Sequence, residues 1–216
     1  MNAISPEKLA SMQGAWIQLI SNFGVTPIDA YPVFDRLVAA HSEPHRHYHT
    51  LEHLAEMFKV AGRLINEDSD SQAIQLAIWF HDSVYDPRAK DNEGLSAALA
   101  QECLASLGIP SETRGKVEEM IRATAHSPLS NVDPETAILL DADLAILSAE
   151  ERRYARYADE IRREYAWVDE SAYRVGRTKV LQTFLDRARI YLTERMYSAA
   201  EAAARYNLHL EIERLK

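Results

Sequence analysis

Between Ile74 and Phe80 the chain is apolar on every side of a helix, and it then runs straight into His81 and Asp82. A helix that is apolar all round belongs in the centre of a fold. A charged pair at its inner end is expensive unless something compensates it, and a metal ion would do so. The chain is therefore limited to folds in which a buried helix delivers polar groups to the core.

The remaining sequence is helical in pattern. Ser5-Pro6-Glu7, Thr26-Pro27 and Asp133-Pro134-Glu135 each read as a cap followed by a proline in the first helical turn. Ser148-Ala-Glu-Glu151 fits a capping box, and Gly24 and Gly108-Ile-Pro110 mark stops. Helices are predicted near 5–23, 27–41, 50–66, 70–84, 92–107, 112–126, 134–147, 150–166, 170–192 and 196–214. No segment alternates with a period of two between turn signals, and only 7 glycines are present. Nothing repeats and no linker divides the chain. The expected fold is all-α, one helical domain over 1–216, with its core over about 27–192 and a C-terminal helix over 196–214.

Charge and cysteine content narrow the partners. The 24 Lys+Arg and 33 Asp+Glu give a net charge of −9 with no basic run, which argues against nucleic acid or an anionic membrane surface. Cys103 is the one cysteine, so no internal disulfide forms; it reads as a small core residue in a reducing compartment. The N-terminal residues lack the pattern of a signal peptide, and no stretch reaches the ~18 apolar residues of a membrane span. A cytoplasmic location is expected.

Five of the 8 histidines fall within positions 41–53. At about 100° per residue, His49 and His53 share a face with Met57, Val60 and Leu64, whereas Glu52, Glu56, Lys59 and Arg63 lie opposite. Both histidines are thus expected to project toward the core. His41, His45 and His47 precede that helix in a polar loop and read as solvated. Two acids, Asp141 and Asp143, are embedded in the apolar run Ile138–Leu147. They stand about 200° apart on a helix, so both cannot face one ion. Asp143 is angularly closer to the Leu140/Leu144/Leu147 stripe; Asp141 fits a cap or a supporting hydrogen-bond partner better.

Tyr48-His49-Thr-Leu-Glu-His53, Phe80-His81-Asp82 and Asp141-Ala-Asp143-Leu144, in that order, resemble the HD superfamily of metal-dependent phosphohydrolases. The chain is most similar to bacterial proteins described only as HD-type phosphohydrolases. That likeness includes Arg46-His-Tyr-His49, Val84-Tyr85-Asp86, Asn92-Glu93 and Ala204-Arg205-Tyr-Asn207-Leu208. It implies an HD-like helical bundle with a metal site between core helices, and His53, His81, Asp82 and Asp143 as ligands. Asp141 is the alternative ligand. The cyclic-nucleotide phosphodiesterases, which the YHxxxH stretch resembles, imply that His49 donates a proton rather than binding metal. One divalent ion (Mn, Mg, Fe, Co, Ni or Zn) is expected, because dinuclear relatives add two histidines where this chain has His126 alone. Such an ion lowers the pKa of a bound water toward ~7 for attack on phosphorus. Glu93 would orient that water or serve as a first-turn acid. Arg46 and His126 are candidates to hold the phosphate. Lys90, like Arg88, stands in the loop after the doublet, where it meets a nucleotide phosphate or stays solvated. The expected substrate is a small phosphomonoester or phosphodiester, such as a nucleotide.

Two rival activities fit parts of the pattern. His49-Thr-Leu-Glu52-His53 also matches H-x-x-E-H of zinc peptidases, with Glu118 or Glu119 as a further ligand. A helical sensor that binds metal or nucleotide without turnover is the other. Tyr154, Tyr157, Ile161 and Tyr165 form a packing stripe. The Ala199–Ala204 run suits close packing against a neighbour or a second subunit in a homodimer.

Overall fold

The computed structural model describes residues 4–125 and 132–216. Ten α-helices and no strand occur among them, in one all-α domain: α1 (Pro6–Ser21), α2 (Pro27–Ala40), α3 (Leu51–Leu64), α4 (Ser71–Phe80), α5 (Asn92–Ser106), α6 (Ser111–Ala123), α7 (Pro134–Asp143), α8 (Glu151–Glu164), α9 (Glu170–Leu185) and α10 (Glu194–Leu215). A 3₁₀ turn over Leu144–Ser148 continues α7. No helix among the described residues is long and apolar enough to cross a membrane.

Most start and stop signals act as predicted. Ser5 Oγ accepts from the Lys8 amide at 3.3 Å, Thr26 Oγ1 from Asp29 at 3.4 Å, and Asp133 Oδ1 from Thr136 at 3.0 Å. Gly24 and Gly108 take φ values of +78° and +72°, the left-handed region that side chains avoid. The capping box at Ser148 does not form. Its hydroxyl donates to the Ala145 carbonyl at 3.0 Å within the 3₁₀ turn, and α8 begins after Glu150 with no side-chain cap.

Two helices end sooner than their apolar patterns. The α4 helix stops at Phe80 rather than 84, since Ser96 Oγ on α5 holds the Val84 amide at 3.0 Å and draws the chain away. The α9 helix stops at Leu185 rather than 192. The loop beyond it is held by two buried carboxylates: Glu201 takes the Ile190 and Tyr191 amides, and Asp141 takes those of Leu192 and Thr193.

Side chains pack in two clusters. The first joins α1 to α7 around α4, whose Ala73, Ile74 and Leu76–Phe80 are all buried as expected. Trp79 meets Trp16 and Phe34 edge to face at 5.6 and 5.8 Å, and Trp16 Nε1 donates to the Ala30 carbonyl at 2.9 Å. The second cluster joins the 3₁₀ turn, α8, α9 and α10 through Leu147, Tyr154, Tyr157, Leu181, Tyr191 and Leu208. Glu164, Arg177, Glu201, Asn207 and Glu211 are buried in this second region. The polar end of α4 lies at the junction of the two.

Candidate metal centre

Three helices deliver one cluster of donor atoms. His53 comes from the first turn of α3, His81 directly follows α4, and Asp143 is the last residue of α7. Ligand atoms of these three all lie within 4.8 Å of one another. His53 Nε2 is 3.2 Å from Asp143 Oδ1, and His81 Nε2 is 3.8 Å from the same oxygen. Asp82 Oδ2 is 3.1 Å from His81 Nε2 but is not part of that three-residue group. Asp143 is thus the acid that faces the histidines.

The donor set suits a divalent ion. The Nε2 atoms of His53 and His81 are buried and make no hydrogen bond. His81 Nδ1 donates to the Ile78 carbonyl at 3.0 Å, so Nε2 is the nitrogen turned to the carboxylates and the one that would bind an ion once its proton is displaced. Neutral imidazole with carboxylate is a set that borderline divalent metals accept. Electrostatics agree. Burial pushes the His81 pKa down, yet the Asp82 and Asp143 carboxylates outweigh it and raise it to about 9. Burial raises Asp82, but His81 and His49 hold its carboxyl well below the usual range. In protein alone a proton on His81 supplies the positive charge the acids require; an ion would replace it.

His49 precedes α3 instead of lying on it, since Thr50 is the N-cap. It remains beside the cluster, with Nε2 4.0 Å from Asp82 Oδ2. Its Nδ1 donates to Glu164 Oε2 at 2.7 Å. Burial lowers its pKa, but Glu164 and Asp82 overcome that and raise it. Glu164, from the last turn of α8, went unnoticed in the sequence. Its Oε1 accepts the amides of His47, Tyr48 and His49 at 2.7, 2.7 and 3.1 Å, and Oε2 also accepts the Tyr85 hydroxyl at 2.8 Å. Burial raises Glu164, but His49 and those amides bring it down to about 2. The available signal was position: Glu164 continues the stripe of Tyr154, Tyr157 and Ile161 at helical spacing.

Several expectations are corrected. Arg46 does not face a phosphate. Its guanidinium is buried, donating to Glu43 Oε2 at 2.9 Å and to the Asp82 and His49 carbonyls at 2.6 and 3.3 Å. It is a clamp that fixes the His81-Asp82 turn against the segment bearing His49. Asp141 is no alternative ligand, because it points to the start of α10, accepting the Leu192 and Thr193 amides at 2.7 and 2.8 Å and the Thr193 hydroxyl at 2.7 Å. His41 is not solvated. It is buried after α2 with Nδ1 on the Leu37 carbonyl at 2.9 Å, and burial with the nearby Arg46 charge pushes its pKa down to about 3. His45 is exposed and His47 half-buried. Lys90 is exposed, outside the cluster, and His126 lies outside the described residues. Cys103 is buried as expected, although Arg36 Nη1 reaches its sulfur at 3.6 Å; burial prevails and pushes the thiol up.

Glu93, in the first turn of α5, lines a cleft of about 570 Å³ together with His49 and Asp143. The cleft opens the cluster to small molecules. Glu52 is turned toward Lys8 on α1, with which it pairs, and Glu118 pairs with Arg122. Neither carboxylate shares the site, so the H-x-x-E-H pattern lacks its water-activating acid.

Comparison with protein-family models, curated proteins and solved structures found no match.

Proposed function

We propose that this protein is a metal-dependent phosphohydrolase of the HD type. The observation that carries this is the convergence of His53 Nε2 and His81 Nε2, both buried and without a hydrogen-bond partner, on the Asp143 carboxylate, with Asp82 against His81. The order of these residues along the chain and the all-helical frame support it through the likeness to the H…HD…D pattern. A bound divalent ion supplies Lewis acidity toward a phosphoryl oxygen and lowers the pKa of water.

The chain's own residues do the rest. His53, His81 and Asp143, with Asp82 beside His81, would hold the ion. Glu93 faces the cleft and takes a proton from the attacking water as its oxygen bonds to phosphorus. The bond from phosphorus to the ester oxygen breaks, and His49 gives that oxygen a proton from Nε2. Glu164 keeps Nδ1 of His49 protonated and its ring aimed at Asp82. The products are an alcohol with inorganic phosphate from a monoester, or an alcohol with a phosphomonoester from a diester, and proton exchange with solvent returns Glu93 and His49 to their starting states. Glu164 resembles the buried acid that orients a catalytic histidine in other hydrolases.

Release of phosphate from phosphomonoesters and of alcohol from phosphodiesters, with and without added Mn²⁺, tests the assignment. Asp82→Ala is expected to lose at least about 100-fold in rate. Equal release by the wild type and Asp82→Ala would sink it. Tight metal binding with no turnover would point to a sensor.

A further inference from the structure

The cleft that opens on Asp143, His49 and Glu93 does not end there. It runs on between α8 and α9, where its walls become apolar and aromatic. Ala172, Gly176, Val180 and Phe184 recur every four residues, forming one stripe along α9 that lines it. In a folded chain such a stripe normally packs against another element. Here Val180 is 46% exposed, and Trp167, at the other wall, is 49% exposed. Trp167 is stacked on Tyr165 with ring centroids 6.3 Å apart. Gly176 leaves a gap in the stripe, since a Cβ there would meet nothing within 4 Å.

Charge gives the second constraint. Arg177 is the one Lys or Arg among the described residues that line the cleft. It is committed, donating Nε and Nη2 to Glu211 at 2.7 and 3.2 Å. Outside the lining, the Arg88 guanidinium lies 5.2 Å over the Trp167 ring and that of Arg187 4.6 Å over Phe184, so these cations are stacked on the aromatic faces of the wall. An apolar body would find Trp167, Val180 and Phe184.

From this geometry we infer that the cleft takes a phosphate ester of an apolar alcohol or phenol, with its single phosphate at the metal and its organic group along the α9 stripe. The inference rests on the phosphohydrolase proposal for the placement of the phosphate, but its ligand class is testable without turnover.

Methyl-, butyl- and hexylphosphonate, with a non-hydrolysable ATP analogue, are titrated into the Mn²⁺-loaded full-length protein and followed by calorimetry and tryptophan fluorescence. The corresponding phosphate esters are assayed for phosphate release. Each methylene removed from water is worth about fourfold in affinity, so hexylphosphonate should bind on the order of 100-fold or more tighter than methylphosphonate. Gly176→Phe fills the gap and should flatten that gradient by at least about 10-fold; phenylalanine also suits a helix better than glycine. Affinity independent of chain length, or tighter binding of the ATP analogue, overturns the inference. If the esters are then cleaved all alike, hydrolysis stands and only the apolar arm falls. A steep gradient in binding with no phosphate released upholds the ligand class and removes the hydrolase assignment.

Discussion

The two packed regions are built on opposite principles. Around α4 the packing is apolar: Trp79, Phe80, Ile78 and their neighbours are buried against α1, α2, α3 and α6, and buried hydroxyls such as Thr124 and Thr136 bond within their own helix ends. Around α8 to α10 the interior is apolar only in part. Glu211 takes Arg177 and the Tyr154 hydroxyl (2.6 Å), Glu201 takes two loop amides, and Asn207 Nδ2 donates to the Leu147 and Ala149 carbonyls at 2.9 and 2.8 Å. The first region is held by burial of area, which is tolerant of direction. The second is held by directed bonds, each of which fixes one loop in one place. The candidate metal centre takes its ligands from the ends of the apolar helices and its orientation from the polar side.

That contrast can be broken by substitution. The largest effect is expected for Glu164→Leu, which leaves three amides and two side-chain donors without their acceptor. It should cost about 3–5 kcal/mol in urea unfolding, as much as a full cavity in the apolar region such as Leu54→Ala, although it adds apolar volume. A cost below about 1 kcal/mol would show that the polar region does not depend on its directed bonds.

A smaller effect separates the regions by pH. His41 lies beside the apolar cluster with a pKa near 3, below the ~6.5 of an unfolded histidine. Unfolded chains therefore bind the extra proton between those values. The contribution is complete above about pH 6.5 and is lost as pH falls toward 3, by up to a few kcal/mol. His41→Gln should remove that part of the slope when stability is followed from pH 7 to 5. An unchanged slope would assign it to other groups. The smallest effect concerns caps. Ser5→Ala should cost about 1 kcal/mol and Ser148→Ala under about 0.5, because only Ser5 accepts from a helix amide. Equal thermal shifts in the two variants would contradict this.

The same contrast explains what was legible in the sequence. Apolar periodicity marks area, so the central position of Ile74–Phe80 and the stripe of Tyr154, Tyr157 and Ile161 could be read directly. Proline-marked caps at Ser5, Thr26 and Asp133 could be read because their chemistry is local. His53, His81 and Asp143 stood out as polar groups in apolar surroundings, and the structure brings them together. Directed bonds over long range leave no such mark. Glu164 sits in a helix full of charged residues, and only its register betrays burial. Arg46 and a phosphate-binding arginine are alike in sequence, since the carbonyl that holds Arg46 at 2.6 Å lies 36 residues away at Asp82. Asp141 and Asp143 share one apolar run, and their separation depended on where the start of α10 docks.

The central claim is that one ion sits among His53, His81, Asp82 and Asp143, with Asp141 outside the site. Metal content per chain, measured by elemental analysis after Mn²⁺ loading and desalting, tests it most directly in wild type, Asp143→Asn and Asp141→Asn. About one ion per chain in wild type and folded Asp141→Asn, with well under half that in Asp143→Asn, is the expected result. Equal metal in wild type and Asp143→Asn, or two ions per wild-type chain, would contradict the account.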